Sequence, residues 1–195
     1  MKKHVYLLPG REETFADNLA KSIESLGLTL CGREIVRDFA RLRFAEQLAL
    51  IKSDLQTAFW KPDAKIVARS YGAYLLLNTL AEMNPFPGRI LLLSPVLGAA
   101  VANDGFYVSQ PPRAERFAKL VESRDFPSPR YLEIHTGAED NGCDPSLAKC
   151  FASMVVNTKL HIVAGASHNL GEEYTRRAVR NFLSEDAAVL RLLSS

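Results

Sequence analysis

The chain has 195 residues and a mass of 21.6 kDa, the size of one ordinary domain. Hydrophobic residues make up 47% and charged residues 24%, enough apolar material for one sizeable core, which excludes collagen-like, low-complexity and wholly disordered readings. The 24 Lys+Arg against 22 Asp+Glu leave a formal charge of only +2, and neither sign forms a long block. That argues against nucleic acid or an anionic membrane as partner and for a small molecule.

The amino end, Met1-Lys2-Lys3-His4-Val5-Tyr6-Leu7-Leu8-Pro9-Gly10, has too short an apolar run for a secretory signal, and no stretch approaches a membrane span. Cys31, Cys143 and Cys150 are an odd number in a chain large enough to fold without bridges, so they predict buried or half-buried thiols in a reducing compartment. The seven-residue offset from Cys143 to Cys150 matches no zinc spacing. The expected location is the cytoplasm, with neither metal nor organic cofactor.

From end to end, short apolar runs alternate with amphipathic windows, the signature of repeated βα units around a parallel sheet. His4–Leu8 reads as a strand stopped by Pro9-Gly10. Phe15, Leu19, Ile23 and Leu26 then share one face of a helix ending at Gly27. Glu34–Asp38 is a weaker strand, followed by Phe44, Leu48, Ile51 and Leu55 on a helix ending near Trp60 and Pro62. Lys65–Arg69 is a strand, Tyr71–Glu82 a helix apolar nearly all round and therefore buried, and Arg89–Ser94 a strand. Leu97–Pro112, with Gly98, Asn103-Asp104-Gly105 and Pro111-Pro112, is long for a connection and reads equally as a lid or as a surface loop. Tyr131–Thr136 and Lys159–Val163 are strands, with a helix between them opened by Asp144-Pro145. A last helix carries Leu170, Tyr174, Ala178 and Phe182, and the apolar tail Ala187–Leu193 either extends it or meets a partner chain. Six strands in βα register predict a single α/β domain over residues 1–195, an open sheet with helices on both faces.

In such a sheet ligands bind at the carboxyl ends of the strands. Ala68-Arg69-Ser70-Tyr71-Gly72 lies at a strand-to-helix junction and has the form small-x-Ser-x-small. A serine on so sharp a turn needs small residues two positions either side, where larger ones would collide with a neighbouring element. Of fourteen serines only Ser70 has Gly or Ala at both places. The alternative is a serine that merely caps a helix.

A serine hydroxyl needs a base. His4 and His161 lie within strands and His135 at the end of one, whereas His168 sits in the loop Gly165-Ala166-Ser167-His168-Asn169. His168 is therefore the candidate base and His135 the second. The base in turn needs a carboxylate. After the fifth strand the chain offers Glu139, Asp140 and Asp144. Asp144 is engaged as an N-cap before Pro145, which makes Asp140 the candidate, with Glu139 and Asp104 as alternatives.

The order Ser70, Asp140, His168 is that of the α/β-hydrolases, and the sequence resembles that family over nearly its whole length, most of all its small members without a large cap domain. The resemblance implies strand order 2-1-3-4-5-6 with the family's two leading antiparallel strands missing. It also implies an oxyanion hole from the backbone N–H groups of Tyr71 and Arg11. Pro9-Gly10 stands where many members have His-Gly, and Ala68 where the first elbow glycine is common. Arg69 either attracts an anionic substrate, pairs with Glu139, turns into solvent or holds a loop by a salt bridge, of which a structural role is the expectation. The function expected is a serine hydrolase of small carboxylesters or thioesters. A non-catalytic binding protein on the same scaffold is the competing reading. A nucleotide binder is disfavoured, because Glu12 and Glu13 occupy the place of a glycine-rich phosphate loop.

Overall fold

In the computed structural model, which describes residues 3–98 and 111–192, six parallel strands form one sheet in the order β2-β1-β3-β4-β5-β6. The strands are β1 (His4–Leu8), β2 (Thr29–Gly32), β3 (Lys65–Arg69), β4 (Arg89–Leu93), β5 (Tyr131–Gly137) and β6 (Thr158–Val163). The helices are α1 (Asn18–Glu24), α2 (Arg37–Arg41), α3 (Phe44–Asp54) with a π-helical turn Leu55–Phe59, α4 (Ser70–Leu80), α5 (Ala114–Glu122), α6 (Pro145–Met154) and α7 (Glu172–Leu192). No helix among the described residues is long and apolar enough to cross a membrane.

Alternation along each strand divides the core in two. Tyr6, Leu8, Ile66, Ala68, Leu92 and Ile134 face a large cluster with α3, α4, α5 and α6. Val5, Leu7, Val67, Leu91 and Leu93 face a smaller cluster with α1 and α7, in which Ile23, Val179 and Phe182 are wholly buried. Every residue of α4 from Gly72 to Leu80 is buried. Its polar members stay satisfied by bonding back into the helix, Asn78 to the Tyr74 carbonyl and Thr79 to that of Leu75.

Two local readings are corrected. The second strand is Thr29–Gly32, not Glu34–Asp38. Gly32 turns at φ +132°, where a Cβ would lie 2.0 Å from the Leu7 carbonyl oxygen, and the chain leaves the sheet there. Ile35 then keeps a single bridge to Arg11 and is buried, which gives the segment its strand-like look before α2 begins. The edge is pinned from behind by Arg33, which binds both carboxylate oxygens of Asp54 at 2.6 and 2.8 Å, while Tyr6 donates to the same group at 2.7 Å. The second correction is α5, unread in the sequence, which buries Ala114, Phe117 and Val121 at helical spacing.

Cys143 is buried and Cys31 half-buried, whereas Cys150 is exposed, contrary to expectation; none is bridged. The tail prolongs α7 as far as Leu192. Residues 99–110, which hold Asp104 and most of the candidate lid, lie outside the described part of the chain.

Candidate active site

The order 2-1-3-4-5-6 reverses direction at β1, so the loops after β1 and β3 diverge at the carboxyl edge of the sheet, the place where open α/β sheets bind ligands. The segment after β3 is the elbow. Arg69 is extended at φ −127° and Ser70 turns to φ +50° as the first residue of α4. Left-handed backbone is unfavourable for a residue with a Cβ. Gly72 shows why the elbow demands small residues: a Cβ there would stand 2.2 Å from the Pro9 carbonyl oxygen and 2.4 Å from that of Leu8. α4 thus sits directly on the end of β1.

The hydroxyl of Ser70 does not cap its own helix; it meets His168, whose Nε2 lies 2.9 Å from Ser70 Oγ. The other ring nitrogen, Nδ1, is 2.8 Å from Asp140 Oδ1. An ionised carboxylate only accepts, so Nδ1 carries the proton and Nε2 is left to accept from the serine.

Asp140 is 3% exposed and fully engaged. Its Oδ1 also accepts the N–H groups of Gly142 and Cys143, both at 2.8 Å, and its Oδ2 accepts the Thr136 hydroxyl at 3.0 Å. Burial pushes this carboxyl's pKa up, but the bonds from His168, the Cys143 N–H and Thr136 outweigh it and hold the group below its ordinary value. Gly142 lets the imidazole in, since a Cβ there would be 2.6 Å from His168 Nδ1. Gly137 plays the same part for the histidine loop: its Cα approaches so closely that a Cβ would lie 2.2 Å from the Ala166 carbonyl oxygen.

The other acids and bases named from the sequence stand elsewhere. Asp144 caps α6 by accepting the Ser146 N–H. Glu139 is exposed and its neighbour in space is the histidine loop, to which its N–H donates at the Ala166 carbonyl. His135 is buried on the α7 side of the sheet, bonded to Glu133 and Tyr174. Cys143, though close to Asp140, has its thiol pushed up to about 12 by burial, which leaves it inert near neutral pH.

Arg69 pairs with Glu13 at 2.9 Å rather than with Glu139, both side chains about a quarter exposed. Glu13 Oε2 in turn accepts the Gly10 N–H at 2.7 Å. The acid that disfavours phosphate therefore ties the loop after β1 to the elbow, a contact across two strands with no local sequence signal. The Arg11 guanidinium lies 4.0 Å from the centre of the Tyr71 ring, so the two residues named for the oxyanion hole also touch through their side chains. Among the described residues neither Arg11 N–H nor Tyr71 N–H has a hydrogen-bond partner. Beside this loop is a polar hollow of about 490 Å³, lined by Pro9, Arg11, Glu13, Asp17, Arg69 and Asn169 among others.

No protein-family model matches the sequence and no curated relative does either. Solved structures are similar over almost the whole chain. The monoacylglycerol lipase of Paleococcus ferrophilus is 12% identical, with 93% of this chain and 94% of that one covered at a TM-score of 0.67. The carboxylesterase CesB of Bacillus subtilis is 14% identical, with 94% and 84% covered at 0.63. A Xanthomonas campestris protein assigned to the alpha/beta hydrolase superfamily is 17% identical, with 94% and 99% covered at 0.62. Six parallel strands in this order with helices on both faces match these structures over almost the whole chain, and the protein therefore has the α/β-hydrolase fold.

Proposed function

We propose that the protein is a serine hydrolase acting on small carboxylesters or thioesters. The observation that carries the reading is the unbroken chain of hydrogen bonds Ser70–His168–Asp140, built on a serine held at positive φ. Ser70 Oγ attacks the carbonyl carbon as its proton passes to His168 Nε2. The carbonyl oxygen becomes an oxyanion, bound by the N–H groups of Tyr71 and Arg11. The intermediate collapses, the C–O or C–S bond breaks, and the leaving alkoxide or thiolate takes the proton from His168. A water then repeats the sequence against the acyl-serine, giving up its proton to the same nitrogen and releasing a carboxylic acid. Asp140 stays ionised, fixes the histidine tautomer and stabilises the imidazolium.

Fold alone does not specify activity, and the site supplies the argument. A base and its orienting acid line up on one hydroxyl, and the N–H groups of Tyr71 and Arg11, without partners among the described residues, are the donors proposed for the oxyanion. Esters are favoured over amides because an amine is a poorer leaving group and asks more of the general acid; the carboxylesterase and the lipase among the fold neighbours are ester-cleaving by name.

The test is turnover of short p-nitrophenyl esters together with labelling by a fluorophosphonate. Ser70→Ala should abolish both with the fold retained by circular dichroism. Undiminished turnover by that variant, or a folded wild type that neither labels nor turns over esters, would overturn the proposal, the latter in favour of a binding protein.

A further inference from the structure

On the far face of the same sheet, β5 and β6 assemble a second group of reactive side chains that the hydrolase reading does not use. Glu133 and His135 are two apart on β5 and share a face, and the parallel register sets His161 of β6 opposite His135. The two imidazoles stack with ring centres 4.3 Å apart and planes 9° from parallel. His135 Nε2 lies 2.9 Å from Glu133 Oε1 and His161 Nε2 lies 3.3 Å from the same oxygen. All three donor atoms fall within 4.8 Å of one another. Three ligands about 2 Å from a common zinc ion have to stand a little over 3 Å apart, so these distances are close to those of a bound metal.

Two further observations favour an ion over a simple buried ion pair. Among the described residues His161 Nε2 is buried without a hydrogen-bond partner, although Glu133 Oε1 lies 3.3 Å away. A lone pair buried in this way is costly, and a metal would use it. The remaining atoms of the ligands are already held as an outer shell holds them. Tyr174 meets His135 Nδ1 at 2.8 Å, which leaves Nε2 aimed at the cluster, and Tyr131 donates to Glu133 Oε2 at 2.7 Å, which leaves Oε1.

We propose that Glu133, His135 and His161 form a zinc site, with one coordination position open. Two imidazoles and a carboxylate suit zinc and its first-row neighbours, not magnesium or calcium, which take oxygen alone. The open position faces a cavity of about 210 Å³ whose walls include Lys159, Arg177 and Asn181. The two cations are exposed, can swing into water, and favour hydroxide or another small anion as the fourth ligand. The site would clamp β6, which among the described residues pairs only with β5, to the strand that leads into the Asp140 loop.

Cysteine spacing gives no hint of this site. The signal here is a pair of i,i+2 doublets, Glu133-Ile134-His135 and Lys159-Leu160-His161, which only strand register brings together.

The test uses the full chain, stripped with a chelator and titrated with Zn²⁺ against a chromophoric competitor. One zinc per chain is expected, with affinity lowered at least about a hundred-fold in His161→Ala and about ten-fold in Tyr174→Phe. Zinc at a hundred times its Kd should raise Tm by roughly 5–10 °C. His4→Ala is the control, because His4 Nδ1 and Cys31 Sγ, 3.5 Å apart, are another pair able to take a metal; its affinity should equal that of wild type. Should the histidine variant fail to fold, the Co²⁺ spectrum of the wild type decides: d–d bands without a thiolate charge-transfer band support the site. Equal binding by wild type and His161→Ala, a thiolate band, or no zinc binding at all would overturn it.

Discussion

Replacing Asp140 by Asn isolates the charge of the acid from its geometry, because of the way this carboxylate is bonded. Oδ1 accepts three donors, His168 Nδ1 and the N–H groups of Gly142 and Cys143. An amide NH2 turned to that side would face three donors in a buried place, so the Asn oxygen must stay there. Its NH2 then meets Thr136 Oγ1, which can accept and turn its own proton to the Cys143 carbonyl at 3.4 Å. The histidine tautomer is kept and only the charge is lost. A full charge about 4 Å from an imidazolium at an effective dielectric of about 20 contributes about 4 kcal/mol, and the retained neutral hydrogen bond restores up to about half of it. The expected fall in kcat for p-nitrophenyl ester hydrolysis is roughly 30- to 1,000-fold. The same pair of proteins carries a check in acid. Because the folded Asp140 titrates below its ordinary value of 3.8, its contribution to stability is present above that value and is lost as the pH falls through the depressed one. The share of the stability gap that the carboxylate's own protonation controls should therefore close only below pH 3.8. A loss of about 10⁴ or more in a folded variant would mean the amide had turned its NH2 to His168, and full activity would mean the charge does nothing; either refutes the reasoning.

Two glycines should fail in different ways. Gly72→Ala drives a Cβ into the backbone oxygens of Pro9 and Leu8, so urea denaturation should show a loss of about 3 kcal/mol. In Gly142→Ala the nearest atoms to the new Cβ belong to the movable ring of His168, so the change should lower kcat about a hundred-fold with little change in Tm. Glu13→Ala frees both the Gly10 N–H and Arg69 and loosens the loop that presents the Arg11 N–H. Steady-state kinetics should show kcat about ten-fold lower with KM nearly unchanged, since an oxyanion contact is made only in the transition state.

What could be read in the sequence was whatever depends on near neighbours. The elbow is a five-residue pattern, and its steric reason is realised at Gly72. Asp140 and His168 can be singled out because each stands in a loop at a strand's carboxyl end, and the structure brings Asp140 into hydrogen-bond reach of His168 and His168 into reach of Ser70; the apolar runs of β1, β3, β4 and β5 are buried enough to announce themselves. The failures share a cause too. β2 is half-buried at all four positions, and an edge strand with one partner carries half the apolar signal of a central one. Ile35-Val36, just beyond it, imitated a strand because Ile35 is buried by a single bridge. The roles of Glu13 and of the Glu133–His135–His161 group depend on which strand lies beside which, and in what register, and no local pattern encodes that.

The strain at Ser70 supplies a last consequence. Its φ of +50° costs a residue with a Cβ about 1–2 kcal/mol relative to glycine. It persists because the turn is fixed from several sides: Gly72 against β1, the Val96 N–H on the Ser70 carbonyl at 3.2 Å, and His168 on the hydroxyl. Ser70→Ala and Ser70→Gly both lose the hydroxyl and should both be inactive, but they differ in backbone cost. Alanine inherits the strain, whereas glycine relieves it and surrenders about 0.4–1 kcal/mol to its freer unfolded chain. The difference leaves Ser70→Gly the more stable of the two by up to about 1.6 kcal/mol, or up to roughly 6 °C in Tm. If Ser70→Ala instead proves the more stable, the left-handed turn carries no strain, and the elbow is an ordinary helix start that happens to hold a serine.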